Sequence, residues 1–588
     1  MNQNATTFIP DTAPFDASQR LWLNGYMAGL LAGKHFPSSI ANGAANGVVK
    51  PTVPLVILFG SQTGTAEKLA KQLAKDSKSR GCNARTLEAN AHTGIDWSKE
   101  TNLLVVTSTY GDGDMPDNAQ GFWDWLQTDA AKAIAHVNFS VLALGDTNYE
   151  QFCAAGKKID GRLEALGAKR IHPLEVCDLD YEAKAKAWGD GALTVLAAAG
   201  QPAGAVAPVQ DAALTPAEFS KTNPFPARLI TNLKLSGEGS QKETRHFEIS
   251  LEGSGLNYEA GDALGVWPKN CPDLVAEILT ALSCDGEESV ATSKGEMPLR
   301  QALTSFYDIS RPSAELQKFF GERNPAVAAL LAPERKEDLK KWLWGRGVID
   351  FLVENPAVKM SPKEFTALLK PIAPRLYSIS SSPKAHAGQV HLTINVVRYE
   401  SSGRGRKGVA STFLADRVKG EASVPVFIQT SHGFRPPADG DRPVIMVGPG
   451  TGVAPFRGFL HERLATGAKG KNWLFFGEQR AATDFYYREE LEKMLATGHL
   501  TKLSTAFSRD QAEKIYVQTR MLENAAELWA WLEAGAHFYV CGDASRMAKD
   551  VDDALHKIIE IAGGRSADDA KAYVAKLKAD KRYQRDVY

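Results

Sequence analysis

A chain of 588 residues is too long for one hydrophobic core and implies about three or four domains. Charged residues make up 23% and apolar residues 44%, an ordinary globular balance, and a net charge of −1 argues against a nucleic-acid binder. Six scattered cysteines (Cys82, Cys153, Cys177, Cys271, Cys284 and Cys541) with no Cys-x-x-Cys argue against a disulfide framework or an iron–sulfur site, and fit a reducing cytoplasm.

The N-terminus shows no basic start followed by a signal-like apolar core. The most apolar early run, residues 21–33, contains Asn24 and falls short of the roughly 20 residues of a membrane span. No membrane segment is expected. Residues 16–33 read as a helix capped by Asp16 or Ser18, with Leu23, Met27, Leu30 and Leu31 on one face. Gly25, Gly29 and Gly33 form a second stripe of the kind that lets another helix approach closely. This is either a docking or oligomerisation helix or an ordinary helix packed on its own body. Residues 37–51, rich in Ser, Asn, Gly and Ala, read as a linker.

From Val53 the pattern becomes alternating strands and helices. Residues 55–59, 102–107 and 139–144 are apolar runs typical of buried parallel strands. Ala66, Leu69, Ala70, Leu73 and Ala74 form a helical apolar face after the first run. This order predicts a doubly wound sheet. Between the first strand and its helix stand Ser61, Gln62, Thr63, Gly64 and Thr65. Three hydroxyls and a glycine at a helix start make a neutral phosphate cradle, without the Gly-Lys-Ser/Thr ending of a triphosphate loop. It suits a phosphomonoester such as the tail of FMN; a plain strand–turn–helix would share the frame. Ser108, Thr109, Tyr110 and Gly111 follow the second strand, and Leu144, Gly145, Asp146, Thr147, Asn148 and Tyr149 the third. Ligands bind outside such carboxyl ends. Tyr110 and Tyr149 are placed to sandwich an isoalloxazine, unless they are surface turn aromatics. Asp112, Asp114, Asp117 and Asp124 lie nearby, with no Lys or Arg from 108 to 125. They form either a steering surface for a basic partner or a solvated loop.

Residues 197–222 are rich in Ala, Pro and Gly and read as a second linker that lets domains move. Strand-like text follows at 229–235, 246–251, 390–398 and 424–429, interrupted between about 268 and 369 by helical stretches that include 274–282 and 336–352. Arg375, Leu376, Tyr377 and Ser378 offer a guanidinium that can fork onto a pyrophosphate, a ring to stack on a flavin and a hydroxyl for flavin N5. Thr393, Ile394, Asn395 and Tyr399 lie on the next strand, and Gly408, Val409, Ala410, Ser411 and Thr412 open a helix as a second cradle.

From Arg442 onward βα alternation returns. Gly448, Pro449, Gly450, Thr451 and Gly452 stand between a strand at 444–447 and a helix from 453, as in a dinucleotide site, unless they form a purely structural turn. Ser508, Arg509, Lys514, Tyr516 and Gln518 supply hydroxyls and positive charge suited to a 2′-phosphate, hence NADPH over NADH, unless they are a surface basic cluster. Cys541, Gly542 and Asp543 end another strand. No base partner for a nucleophilic thiol is evident, so Cys541 is expected against the nicotinamide, with Asp550 near the cofactor amide or ribose.

The order of these motifs over residues 53–588 resembles the diflavin reductases. The residues Arg582, Tyr583, Gln584, Arg585, Asp586, Val587 and Tyr588, the block 471–477 and the Gly25-Tyr26 helix are similar to the flavoprotein components of NADPH-dependent assimilatory sulfite reductases. The resemblance implies a multidomain α/β architecture: a docking segment and linker (1–52), a flavodoxin-like FMN domain (53–196), a flexible linker (197–222), an antiparallel β-barrel FAD domain (223–437) with a helical insertion at about 268–370, and a Rossmann-like NADPH-binding domain (438–588). It implies that Ser61 to Ala66, Ser108 to Gly111, and Leu144 to Asp146 with Thr147, Asn148, Tyr149, Glu150, Gln151, Phe152 and Cys153 hold FMN. Arg375 to Ser378, Thr393 to Asn395, Tyr399, Gly408 to Ser411 and Tyr588 would hold FAD, with Thr304 a further neighbour and Tyr588 shielding the flavin. Ser508, Arg509, Lys514, Ile515, Tyr516, Val517, Gln518 and Asp550 would hold NADPH. Ser378, Cys541 and Asp586 would assist hydride transfer; no metal site is expected. The implied activity passes electrons from NADPH through FAD and FMN to a sirohaem/iron–sulfur hemoprotein that reduces sulfite, in a cytoplasmic homo-oligomer. A soluble diflavin reductase serving a monooxygenase or another haem acceptor, and a scaffold with decayed flavin sites, are the alternatives.

Overall fold

A computed structural model describes residues 53–61, 64–110, 113–146, 151–178, 181–199, 219–420, 422–431 and 433–588. The expected helix at 16–33, the first linker and most of the second lie outside the described residues, as do Gln62, Thr63, Gly111, Thr147, Asn148, Tyr149 and Glu150.

The first sheet contains β1 (Val53–Gly60), β2 (Cys82–Glu88), β3 (Asn102–Ser108), β4 (Asn138–Leu144), β5 (Lys169–Arg170) and β6 (Glu175–Cys177). All pairings are parallel, in the order β2-β1-β3-β4-β5 with β6 also on β4. β1, β3 and β4 are buried on both faces, which is why they read as continuous apolar runs. The order reverses between β1 and β3, so the loops that follow these two strands flank a crevice.

The second unit is built on β7 (Phe225–Lys234), β8 (Thr244–Ser250) and β9 (Ala263–Val266). A helix-rich segment follows, carrying the small hairpin β10 (Ser289–Thr292) and β11 (Gly295–Pro298). β12 (Arg375–Ser378), β13 (Gln389–Asn395), the hairpin β14 (Arg398–Ser401) and β15 (Arg404–Lys407), and β16 (Ser423–Gln429) come next. The main sheet runs β12-β9-β16-β7-β8-β13, antiparallel throughout. A bridge between Ile379 and Leu392 ties its two ends together, so it closes into a barrel. The helical segment has its own core, with Ile278, Leu303, Phe320, Phe351 and Phe365 fully buried.

Two element expectations are corrected. The helix expected over 336–352 is two helices, Lys336–Leu343 and Val348–Glu354, separated at Gly345 (φ +71°). The strand expected over 390–398 stops at Asn395, and Arg398 begins the separate hairpin β14–β15, which no apolar alternation announces.

The third unit is a wholly parallel sheet of β17 (Val444–Val447), β18 (Asn472–Glu478), β19 (Lys502–Phe507), β20 (His537–Gly542) and β21 (Tyr583–Val587), in the order β19-β18-β17-β20-β21. Its helix Val453–Ala465 packs on the barrel through a buried polar network. Arg457 chelates Glu490 (2.9 and 3.0 Å) and donates to the Ser380 carbonyl (2.8 Å). His461 pairs with Glu490 (2.7 Å) and with His386 (3.0 Å); His246 meets Tyr487 (2.9 Å), which also meets Thr393 (2.6 Å). His246, Glu248 and His391 bring potential metal-ligand atoms within 4.8 Å of one another. Yet Arg457 Nη1 can only donate, and it faces His391 Nδ1 at 3.3 Å. The ring hydrogen therefore sits on Nε2, toward Gln389 Oε1 at 3.2 Å. A metal at Nε2 would force hydrogen onto Nδ1 and set two donors face to face.

Burial, then neighbouring positive charge, pushes His246 down to about 4 and depresses His391 further. Both rings gain a proton more easily in the unfolded chain. Their contribution to stability is complete above pH 6.5 and is lost as pH falls toward the folded values. The thermal midpoint is therefore expected to fall between pH 7 and pH 5, and His246→Gln with His391→Gln should flatten that fall. An unchanged pH profile in the double variant would count against the network as its source.

Candidate active site

Three loops gather at the carboxyl ends of β1, β3 and β4. After β1 the chain turns through Gly64, at φ +81°, into the helix Thr65–Ser79. A side chain at that φ would be strained, so glycine sets the entry to the helix. Ser61 is held by the Asn118 side chain (2.8 Å to its backbone N–H), and its Oγ accepts from the Ala66 N–H at 3.2 Å. Ala66 itself is buried in the sheet's core. Ser108 Oγ reaches the Gly60 carbonyl (3.4 Å), and Thr109 Oγ1 accepts from the Ala155 N–H (3.2 Å). Gly145 is tied to the Cys177 carbonyl (2.9 Å) and packs under Cys153 and Phe152, where a Cβ would lie 2.8 Å from the Cys153 nitrogen. Cys153 is buried, with its thiol pushed up by desolvation to about 11. Leu144 is buried, while Asp146 and Gln151 stand further out on the same rim. The hydroxyls and glycines make an uncharged cradle, which fits a phosphomonoester and not a triphosphate.

Tyr110 follows β3 and is turned away from solvent. It is only 9% exposed and belongs to the apolar cluster of the third sheet, beside Val540, Tyr583 and Val587. Its hydroxyl accepts from the Val587 N–H at 3.2 Å.

On the barrel, Arg375 is held by the Ala373 carbonyl (3.0 Å) and faces Asp308 at 3.9 Å. Leu376 points outward, and Tyr377 is partly buried against the barrel core. Along β13, alternation buries Ile394 in that core, so it can offer only backbone, while Asn395 projects into a cleft. Thr393 Oγ1 is engaged by Tyr487. Tyr399 and Trp344 are both exposed, with ring centroids 5.8 Å apart, a surface that fits a heteroaromatic ring. A Cβ on Gly408 would lie 2.6 Å from Ser411 Oγ and 2.8 Å from Val397, so glycine is required before Val409, Ala410 and Ser411. Thr304 bonds back within its own helix, to the Arg300 carbonyl (2.7 Å).

Ser378, Cys541 and Asp586 meet at one point. β20 and β21 pair in parallel with Cys541 opposite Asp586, and the Ser378 hydroxyl donates to Asp586 Oδ2 at 2.6 Å. The Cys541 thiol lies 3.9 Å from the same oxygen. Burial lifts the Cys541 thiol well above its usual range, and the adjacent Asp586 charge adds to this, so it remains a thiol. Burial also raises the Asp586 carboxyl, while the hydrogen bonds from Ser378 and Cys541 favour its charged form. Tyr588 is 52% exposed, and its hydroxyl meets Thr451 Oγ1 at 3.0 Å. Its backbone is pinned to Gly542 and Ala544 (3.0 and 3.2 Å). Gly452 approaches so closely that a Cβ would lie 2.1 Å from the Cys541 carbonyl oxygen.

A cleft of about 510 Å³ opens at the carboxyl ends of β17, β18 and β19, lined among others by Gly450, Ser508, Arg509, Lys514, Tyr516, Val517, Gln518 and Asp550. A second cleft of about 270 Å³ shares Pro449, Gly450 and Asp543 with it and adds Asn395, Thr451 and Tyr588. Gln518 reaches Asp550 (3.1 Å), and Ile515 packs on the core below. Lys242, Gln241 and Glu478 were not foreseen. Lys242, from the barrel, lines both clefts and pairs with buried Glu478 at 2.5 Å; Gln241 accepts from Arg509. Nothing in the sequence marks the turn that carries Gln241 and Lys242, because the barrel alone brings it across.

Family models match three successive stretches: flavodoxin over residues 57–188, FAD binding domain over 217–413 and oxidoreductase NAD-binding domain over 446–553. The chain is 44% identical to the sulfite reductase (NADPH) flavoprotein alpha-component of Bacillus subtilis, across 97% of this chain and 96% of that one. It is 42% identical to the protein of the same description from Mannheimia succiniciproducens, across 100% of both, and 40% identical to that from Vibrio parahaemolyticus, across 100% of this chain and 95% of that one.

Ser508, Arg509 and Lys514 together set a positive, hydroxylated edge on the larger cleft. Arg509→Ala is expected to weaken NADPH binding by about tenfold or more and NADH binding hardly at all, read as dissociation constants for both nucleotides. Equal losses would remove the 2′-phosphate from this edge.

Proposed function

The chain belongs to the sulfite reductase (NADPH) flavoprotein alpha-components, which are diflavin reductases, and on that premise we propose which of its residues carry electrons from NADPH toward a hemoprotein partner that reduces sulfite to sulfide. FAD, when bound, supplies a two-electron acceptor that releases electrons singly, and FMN supplies the carrier to the partner.

The single observation that carries the residue-level reading is the meeting of Ser378, Cys541 and Asp586 beneath Tyr588, beside the cleft that holds Arg509. Ser508, Arg509, Lys514 and Tyr516 bind the phosphate end of NADPH. Gln518 and Asp550 hold its middle, and Thr451, Cys541 and Tyr588 frame the nicotinamide. Cys541 is wholly buried, so Tyr588 must swing aside for a ring to reach it. With a nicotinamide held here, the buried Asp586 carboxylate would stabilise the positive charge such a ring gains on giving up hydride, without reorganising water. Ser378 holds the carboxylate in place by donating its hydroxyl hydrogen to it, which leaves the oxygen's lone pairs for a bound flavin. Arg375, Asn395, Tyr399 and the Gly408–Ser411 turn hold FAD. Ser61, Gly64, Thr65, Thr109 and Gly145 hold FMN, with Thr63 and Tyr149 completing the site.

Residues 1–52 serve self-association or hemoprotein assembly, a reading supported by the spacing of Gly25, Gly29 and Gly33. A cytoplasmic place is supported by six free cysteines and by the absence, among the described residues, of a helix long and apolar enough to cross a membrane.

Two measurements check this reading. Asp586→Asn should slow NADPH-driven flavin bleaching by about a hundredfold while changing the NADPH dissociation constant little; an unchanged rate would remove Asp586 from the reaction. NADPH-driven sulfide formation should need both this chain and the sirohaem hemoprotein. If sulfite is left intact while a monooxygenase haem is reduced efficiently, the acceptor is wrong.

A further inference from the structure

The strand β21 carries a second set of contacts that hydride transfer does not use. Alternation along a strand sends neighbouring side chains to opposite faces. Asp586 therefore faces Ser378, and Arg585 faces away from it. Arg585 Nη2 donates to Asp117 Oδ1 at 2.5 Å, on the helix Asp117–Leu126 that follows the second loop of the first sheet. Its guanidinium carbon lies 5.5 Å from the centre of the Tyr110 ring. Two residues further, the Val587 N–H donates to the Tyr110 hydroxyl. Tyr110 is thereby buried in a core that belongs to another sheet. Both charges of the pair are largely sheltered, with side chains 20% and 24% exposed, where an ion pair is screened less than on open surface.

The electrostatic setting favours this pairing. No Lys or Arg occurs from 108 to 125, and Lys158, from the same domain, is engaged by the Gly113 carbonyl at 2.8 Å. Arg585, on β21, brings a positive charge to Asp117. Lighter contacts among the described residues lie elsewhere on the same domain, Lys370 with Asp178 at 4.0 Å and Lys221 at 5.4 Å from the Tyr181 ring centre.

We propose that Arg585 and Asp117, with the Val587–Tyr110 hydrogen bond, form a latch that docks the FMN loops against β21 and so positions this domain to receive electrons, Arg585 and Asp117 acting as positioning residues. The proposal rests on the reading that these loops hold FMN. It follows that the strand bearing Asp586 also bears the docking contact. Release of the latch frees the Tyr110 face for an external acceptor.

The test uses the full chain with its flavins and three variants: Arg585→Glu, Asp117→Arg, and the exchange Arg585→Asp with Asp117→Arg. Two readouts are taken, small-angle scattering and rapid-mixing absorbance after NADPH addition. Each single variant is expected to enlarge the radius of gyration and to slow the second, FMN-reducing phase by about tenfold, with the first, FAD-reducing phase kept. The exchange variant should recover both readouts. High salt, about 1 M, should expand the parent chain and leave Arg585→Glu unchanged. Unaltered scattering in the single variants, or an exchange variant as expanded as the singles, overturns the latch. If a single variant fails to fold, seen as loss of the first phase, the exchange variant and the salt series decide. Acid release of flavin tests the FMN reading separately: its absence removes that reading, while the scattering arm still judges the contact.

Discussion

The parallel register of β21 on β20 is the constraint on which the rest depends. It sets Asp586 opposite Cys541 and Val587 opposite Gly542. From that register one face of a five-residue strand reaches the barrel through Ser378, and the other reaches the first sheet through Asp117 and Tyr110. A slip of one residue would exchange these faces. Arg585 would then stand beside a buried thiol, and a carboxylate would confront Asp117. Three sheets therefore share one strand as their common reference.

Electrostatics divide the sites by task. The first sheet offers hydroxyls and glycines at the ends of β1, β3 and β4. The third offers Arg509 and Lys514 at the rim of a cleft. Between them the chain buries a carboxylate, and desolvation raises its proton affinity while Ser378 holds its charged form. Such a group acts strongly on charge that develops next to it, because no water relaxes around it. The buried network of Arg457, Glu490 and the histidines serves another purpose. It holds the barrel and the third sheet as one frame, so that Ser378 and Asp586, 208 residues apart in sequence, stay within hydrogen-bond distance.

Much of this was legible in the sequence because the signals are local. Continuous apolar runs marked β1, β3 and β4, since strands buried on both faces cannot alternate. Glycines and hydroxyls marked the turns after them, because close backbone approach leaves no room for a side chain. The meeting of Ser378, Cys541 and Asp586 was reached through resemblance, and the strand register supplies its physical cause. What stayed hidden is non-local. Lys242 and Gln241 sit in an unremarkable polar turn and enter the cleft only because the barrel closes beside the third sheet. Asp117 read as one member of an acidic run, and its partner lies 468 residues away. The break at Gly345 was hidden because Trp344, Val348, Phe351 and Leu352 continue a helical apolar pattern across it.

The central claim is that the two faces of β21 do separate work. The most direct measurement is rapid-mixing absorbance of the Arg585→Glu, Asp586→Asn double variant beside its two single variants. The account predicts that Arg585→Glu slows only the second flavin phase, that Asp586→Asn slows the first and holds FMN reduction to the first phase's rate, and that the double variant keeps the first-phase rate of Asp586→Asn. Arg585→Glu slowing the first phase as much as the second would contradict it.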